Sequence, residues 1–594
     1  MYKLFILATL STCALLGPLA GPLSAQTATQ NKSVAGTWLG VLSIGGAKLR
    51  LVLHVEDAGS GALKATVDSV DQPNGNNLQV DTITYKDNAL HFEMKALTIV
   101  YDGVLSKDET EFVGTFKQGT GSIPLTFRKR TIQTAVVQRG RVTLKSCESP
   151  TLPDGALCGT YDVFEDRQAR SGRKIALNIL LLPATNSKPA PDALFYLAGG
   201  PGGAATAYAG DKFMVSLRRN RDVVLVDQRG TGRSNQLDCP SPGSPQDMRG
   251  YFGEVMAPER IRACRTALEK IADLKLYTTS IGMDDLDEVR AALGYERIDV
   301  YGGSYGSTAA LVYLRQHADH TRTVAVFGVA PPSAKLPLSF AKGTQDSMDR
   351  MFADCAADQA CNAAFPNLKE EFKKVIAMFD AGPVEVSAPN VYTGETQKVT
   401  VTRDAFVDSI RQLLYVPEAA AALPLLIHLG ASGNLGPMIG TAFQVVSQID
   451  AKIARGMSFS VLCSEDTPFI TEDDLKKANA NSFYGDARTR PTIRACAEWN
   501  AVKVPATFLD PVKSDVPVLL INGELDPVTP PWVSEPIAKY LTRSKLVTIK
   551  NGTHTGYPCI DSLVADFIDK GTTEGLDYSC VDKITRPAWT IPSK

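Results

Sequence analysis

Ser304 stands in Gly302-Gly303-Ser304-Tyr305-Gly306, a G-x-S-x-G pattern that occurs once in the chain. A buried-strand run, Ile298-Asp299-Val300-Tyr301, precedes it and a helix-compatible run, Ser307–His317, follows. That context predicts a sharp strand-to-helix reversal with the serine at its apex. Glycines permit the reversal because they carry no Cβ to clash. The hydroxyl then projects above the sheet as a nucleophile, and the N–H groups of the new helix face a reacting carbonyl. The plainer alternative is an ordinary glycine turn.

A serine hydroxyl is a poor nucleophile until a base takes its proton. The chain has six histidines: His54, His91, His317, His320, His428 and His554. The first two precede the serine by some 200 residues and sit in a strand-rich region of different character. His317 and His320 fall at the far end of the helix that Ser304 opens, and His428 sits in an apolar helical stretch. His554 lies in the glycine-flanked loop Asn551-Gly552-Thr553-His554-Thr555-Gly556, just after the last strand-like run, and is the expected base. Where a serine sits on such an elbow, the chain order is Ser, Asp or Glu, then His. Val518–Gly523 leads into Glu524-Leu525-Asp526-Pro527, so Asp526 is the expected acid and Glu524 its rival. The acid would hold the imidazole tautomer and stabilise the imidazolium. An oxyanion needs two preorganised N–H donors. Tyr305 would supply one, and the turn Gly199-Gly200-Pro201-Gly202-Gly203 the other, through Gly200. Such turns also cradle phosphates, but neither Gly-Lys-Ser/Thr nor GxGxxG is present.

The elements that must position these residues follow from the apolar pattern. The chain has 594 residues, 44% hydrophobic and 21% charged, with a formal net charge of −2. These values describe an ordinary globular protein of more than one domain, with no basic excess to suggest a nucleic-acid partner. Residues 33–131 show short alternating runs, such as Leu49–Val55 and Leu90–Met94, separated by Gly-Gly, Asn-Gly and Asp-Asn. They read as a small all-β accessory domain, a barrel or sandwich with no catalytic constellation. From 137 onward strand-like runs at 175–182, 194–197, 223–226, 298–301, 324–329, 516–521 and 546–549 alternate with helical patterns. That alternation implies a mostly parallel sheet covered on both faces. Between 341 and 505 the strands largely vanish and helical, often Ala-rich segments dominate, an insertion expected to lie over the carboxyl ends of the strands, where ligands bind. The core would thus comprise residues 137–340 and 506–594, with the acid and histidine in the second part.

Residues 1–25 read as a secretory signal: Lys3, the apolar run Leu4–Leu16, and small residues up to Ala25. The alternative is a retained N-terminal anchor. Of eleven cysteines, Cys13 falls within that run. The other ten form sequence neighbours: Cys147/Cys158, Cys239/Cys264, Cys355/Cys361, Cys463/Cys496 and Cys559/Cys580. Five local disulfides are expected, as in an oxidising compartment. There is no CxxC pair, and no metal site or organic cofactor is indicated.

Taken together, the Gly199–Gly203 turn, Asp227-Gln228-Arg229-Gly230-Thr231-Gly232-Arg233-Ser234, the Gly302–Gly306 elbow and Asn522–Pro530 resemble the tripeptidyl aminopeptidase and proline iminopeptidase branch of the α/β-hydrolases, serine peptidase family S33. The resemblance runs from about residue 137 to the C-terminus. It implies an α/β-hydrolase fold with a helical cap insertion, here preceded by the small all-β domain. It also implies release of residues or short peptides from a free N-terminus, with peptides as partners and no cofactor. Acidic cap residues hold the substrate ammonium in such enzymes. Cys463-Ser464-Glu465-Asp466 looks like the cap motif, which makes Glu465 the implied anchor; otherwise these two acids are a solvated pair. Proline iminopeptidases usually have His before the Gly-Gly-Pro-Gly turn, whereas this chain has Ala198, which favours the tripeptidyl type. A carboxylester hydrolase on the same scaffold is the alternative, because fold and triad do not fix the substrate. A catalytically silent binding module is a third reading, disfavoured by the intact serine, histidine and acid.

Overall fold

The computed structural model describes residues 34–592, apart from 45–46, 60–61, 71–76, 120, 131–134, 148, 150–151 and 255. The expected signal at 1–25, with Cys13, lies outside the described residues. The chain divides into two compact units, Met1–Arg130 and Thr131–Lys594.

The first unit is a single antiparallel sheet of nine strands: β1 (Gly36–Ile44), β2 (Ala47–Gly59), β3 (Ala62–Ser69), β4 (Leu78–Gln79), β5 (Thr82–Lys86), β6 (Ala89–Met94), β7 (Ile99–Leu105), β8 (Glu111–Gln118) and β9 (Gly121–Lys129). Their order is β4-β3-β2-β1-β9-β8-β7-β6-β5, and the sheet curls until β3 meets β5. Alternation puts Trp38, Leu53, Phe92, Tyr101, Phe112 and Phe127 on the inner face, as a strand period of two requires. The buried Tyr101 hydroxyl is satisfied by the carbonyls of Phe112 and Leu125, at 2.9 and 3.2 Å.

The second unit is built on a ten-stranded sheet. Four strands open it: β10 (Val136–Arg139), β11 (Val142–Ser146), β12 (Leu157–Phe164) and β13 (Lys174–Leu182), paired antiparallel. Then come β14 (Ala193–Leu197), β15 (Asp222–Val226), β16 (Ile298–Gly303) and β17 (Thr321–Phe327). Next in the chain is a short hairpin, β18 (Val384–Pro389) and β19 (Thr396–Val401), which stands outside this sheet. Last are β20 (Val518–Gly523) and β21 (Ser544–Ile549). The sheet order is β10-β11-β12-β13-β15-β14-β16-β17-β20-β21, parallel from β15 to β21. The central strands are buried along their whole length, as expected where helices cover both faces. Helices Thr279–Leu293 and Tyr305–Gln316 pack on one face, and Pro558–Lys570 on the other.

The insertion runs between β17 and β20, which pair directly with one another. It is largely helical, with its own apolar core around Phe372, Phe406, Leu423 and Phe443. It touches the loops that follow the parallel strands: Ala454 N donates to Gly202 O (3.0 Å), Ser347 Oγ to Leu525 O (3.0 Å) and Thr553 Oγ1 to Tyr415 O (2.8 Å). Two features depart from the sequence reading. The hairpin β18–β19 interrupts the helices, although its alternate residues Val386, Ala388, Val399 and Val401 are buried with the period of a strand. Strands β10 to β12 extend the sheet before the first strand-like run read from the sequence. Among the described residues there are five disulfides, Cys147–Cys158, Cys239–Cys264, Cys355–Cys361, Cys463–Cys496 and Cys559–Cys580, each joining sequence neighbours as expected.

Candidate active site

Ser304 caps the helix Tyr305–Gln316 with φ +56° and ψ −126°. An L-residue with positive φ pays in backbone strain and holds that conformation only where its surroundings impose it. Here they do. Ser304 N donates to Phe327 O on β17 (2.8 Å), and Ser304 O accepts from Ser307 N (2.8 Å) and Ser307 Oγ (2.5 Å). The flanking glycines make the reversal sterically feasible. A Cβ on Gly302 would lie 2.1 Å from Gly306 O, and one on Gly306 would lie 2.1 Å from Leu197 O.

The structure brings Ser304, His554 and Asp526 together. His554 Nε2 is 3.0 Å from Ser304 Oγ, and His554 Nδ1 is 2.7 Å from Asp526 Oδ2. Asp526 is wholly buried. Its Oδ1 accepts from Val528 N and Thr529 N, at 2.8 and 2.9 Å, and its Oδ2 accepts from Thr529 Oγ1 at 2.7 Å as well as facing the imidazole. Burial opposes its charge, yet His554 and the Thr529 donors outweigh it and hold the carboxyl below its ordinary value. Glu524, the rival acid, points elsewhere: it is exposed and pairs with Arg350 at 3.1 Å. Each remaining histidine has a carboxylate of its own: His54 with Asp68, His91 with Asp102, His317 with Asp284, His320 with Asp287 and His428 with Glu371.

Tyr305 opens the helix, so its N–H is among those with no intrahelical acceptor. The Gly199–Gly203 turn runs beside the serine, where a Cβ on Gly199 would lie 3.2 Å from Ser304 Cβ. Gly200 takes φ +130°, a conformation open to glycine. The turn is fastened to the insertion by Gly202 O and by Ser458 Oγ, which donates to Pro201 O. The segment Asp227–Ser234, one of the motifs behind the family resemblance, acts as a brace. Asp227 accepts from Thr206 N (2.9 Å), Asn178 Nδ2 (2.9 Å) and Arg233 N (3.1 Å), tying the chain after the glycine turn to the end of β15. Arg229 is buried and forks onto Asp285 at 2.6 and 2.9 Å.

Glu465 is not solvated. It is 2% exposed and accepts from Thr279 N and Thr279 Oγ1 at 2.5 and 2.6 Å, while the same hydroxyl lies 2.7 Å from Tyr305 OH. Burial, against the Thr279 hydrogen bonds, pushes its carboxyl up to about 7. Burial and then the Glu465 charge push Asp466 well above its ordinary value, against a hydrogen bond from Leu336 N at 2.7 Å. Arg315 favours the ionised Glu465, but its guanidinium donates to the carbonyls of Phe508 and Asp510. Both acids line a small cavity with Tyr305, Pro201, Leu336 and Phe508. Its volume of ≈10 Å³ is roughly that needed for one water or one ammonium group.

Among the described residues, Asp287, His317 and His320 bring ligand atoms within 4.8 Å of one another, at the end of the elbow helix away from Ser304. A guanidinium already occupies that acid: Arg290 Nε lies 2.6 Å from Asp287 Oδ1 and Arg290 Nη2 3.0 Å from His320 Nδ1.

Fold and site define an α/β-hydrolase that works as a serine hydrolase. Residues 192–364 match the alpha/beta hydrolase fold family, and residues 481–580 match the TAP-like protein family. Serine protease Hip1 of Mycobacterium tuberculosis is 25% identical over 470 residues, covering 72% of this chain and 88% of that protein. Tripeptidyl aminopeptidase of Streptomyces lividans is 24% identical over 521 residues, covering 77% and 90%. Among solved structures, a proline iminopeptidase of Mycobacterium smegmatis is 15% identical with a TM-score of 0.35, covering 70% of this chain and 98% of that one. By these likenesses the chain is an α/β-hydrolase of the peptidase type that resembles the tripeptidyl aminopeptidases and proline iminopeptidases and carries a TAP-like C-terminal region.

Proposed function

We propose that this protein is an exported serine aminopeptidase that releases residues or short peptides from free N-termini through an acyl-enzyme. The observation that carries the reading is Glu465, buried with its half-buried neighbour Asp466 beside Tyr305 at a cavity of ammonium size. Two carboxyls held in such a place retain protons more tightly than solvated ones, and an ammonium ion entering between them would favour their ionisation.

In this mechanism Ser304 Oγ attacks the carbonyl and passes its proton to His554 Nε2. His554 Nδ1–H stays on Asp526, which stabilises the imidazolium. The oxyanion takes the N–H groups of Tyr305 and Gly200. His554 then protonates the departing amine, and a water activated by the same base releases the acyl group from Ser304. Relatives named tripeptidyl aminopeptidase support the substrate class. The five disulfides suit an oxidising compartment, in keeping with the secretory pattern at 1–25.

A carboxylester hydrolase would use the same serine, base and acid but has no need of a buried amine receptor. The test is Glu465→Gln, assayed on a chromogenic tripeptide amide and on a simple acetate ester. Peptide kcat/KM should fall much further than ester kcat/KM; equal losses would contradict the anchor. In the wild type the Glu465 carboxyl is neutral below about 7 and charged above it. The ratio of peptide to ester kcat/KM should therefore rise with pH through that region until the substrate amine loses its proton at about 8, and the rise should be lost in Glu465→Gln, because kcat/KM reports the groups of the free enzyme and the free substrate.

A further inference from the structure

We propose that Tyr415, carried by the insertion, is a positioning residue that holds the imidazole of His554 in line with Ser304; this rests on the assignment of His554 as the base. Tyr415 follows the helix Arg403–Leu413 and packs edge to face on His554, with ring centroids 4.7 Å apart and planes at 60°. From the end of β17 Gly328 faces the same ring, where a Cβ in place of its hydrogen would lie 3.1 Å from His554 Cε1. A hydrogen bond to Asp526 at Nδ1 fixes one atom of the imidazole but leaves the ring able to tip about that bond. Contact with Tyr415 limits the tipping.

Tyr415 is itself tied down. Its carbonyl accepts from Thr553 Oγ1 at 2.8 Å, next to His554 in the chain. Its hydroxyl accepts from Arg411 Nη1 at 2.9 Å, and that guanidinium lies over both the Tyr415 and Phe340 rings. Arg411 is buried and paired with Asp408 at 2.8 Å, and Asp408 also accepts from Tyr484 OH at 2.7 Å. A buried ion pair is a costly way to stabilise a helix. This one ends on the hydroxyl of the tyrosine that faces the imidazole, which gives it a positional role. The insertion thereby reaches the histidine as well as the cavity at Glu465.

The experiment compares Tyr415→Phe, Tyr415→Leu and Ser304→Ala with wild type, each first shown to be folded by circular dichroism. The main readout is the rate at which a small fluorophosphonate labels the serine, since that probe needs an activated nucleophile and no amine site. Kinetics on an acetate ester give the split between kcat and KM. Tyr415→Leu should label about tenfold to a hundredfold more slowly, the scale of a misplaced reacting group, with kcat lowered and KM little changed. Tyr415→Phe keeps the ring and should recover most of the rate. Labelling of Tyr415→Leu at the wild-type rate would overturn the proposal, as would a rise in KM alone or an equal loss in the Phe variant. Labelling of Ser304→Ala would instead remove the serine assignment on which the proposal rests. If Tyr415→Leu does not fold, Tyr415→Met removes the ring while keeping more of its volume and should slow labelling in the same direction; an unchanged rate there would count against the proposal.

Discussion

Asp526 makes two backbone and two side-chain contacts at 2.7–2.9 Å, so its place is fixed whether or not it carries charge. Asp526→Asn should therefore fold like wild type but present an amide where His554 needs an acceptor. We expect kcat for peptide or ester to fall on the order of 10⁴-fold through the wrong imidazole tautomer; a loss below tenfold would show that another group orients the histidine. Ser304, His554 and Asp526 were legible in the sequence because the elbow has a local pattern and because few histidines compete with His554. Glu524 and Asp526 could be ranked only by position in the loop; the structure separates them by direction, one toward Arg350 and the other toward His554. Tyr415 was not legible at all. It lies 139 residues before His554, and nothing local to it signals a contact that depends on how the insertion folds back.

The strand that delivers Ser304 also carries a buried acid, Asp299, within its apolar run. A charge in such a run needs partners if the strand is to be buried. Its partners come from other strands and loops: Arg221 Nη1 at 2.8 Å, Arg322 Nη2 at 3.0 Å, and Thr323 Oγ1. Burial, and hydrogen bonding with Asp192, push the Asp299 carboxyl up to about 7 in spite of the two arginines. Breaking a buried pair costs about 3–5 kcal/mol, so Arg221→Leu should lower the unfolding free energy read from denaturant titration by about that much. The penalty should be larger at pH 8 than at pH 5, because the folded state binds the Asp299 proton more tightly than the unfolded chain does and ionising the unpaired acid is the costly event. An equal penalty at both values would contradict the role given to Asp299. At this same scale the α/β alternation was readable because the core strands are short, apolar and continuous. The hairpin β18–β19 was missed although Val386, Ala388, Val399 and Val401 alternate in the manner of a strand, because it is only six residues deep on each side and is embedded between helices.

The described cysteines all lie in the unit Thr131–Lys594, and the unit Met1–Arg130 folds around Trp38, Phe92, Tyr101 and Phe127 without them. Calorimetry should therefore resolve two unfolding transitions, of which reductant lowers only the one belonging to the hydrolase unit. A single transition, or two that shift together, would show that the units do not unfold independently. Under the function proposed above, two acids of the insertion make a serine hydrolase into an exopeptidase. It is tested most directly by hydrolysis of one chromogenic tripeptide amide, Ala-Ala-Pro or Ala-Ala-Ala, by the purified protein, with the substrate's N-terminus free and then acetylated. Ser304→Ala serves as the blank. The account predicts rapid cleavage of the free form and little or none of the acetylated one. Comparable cleavage of both would contradict it, because a receptor built from Glu465 and Asp466 cannot hold an amide in place of an ammonium group.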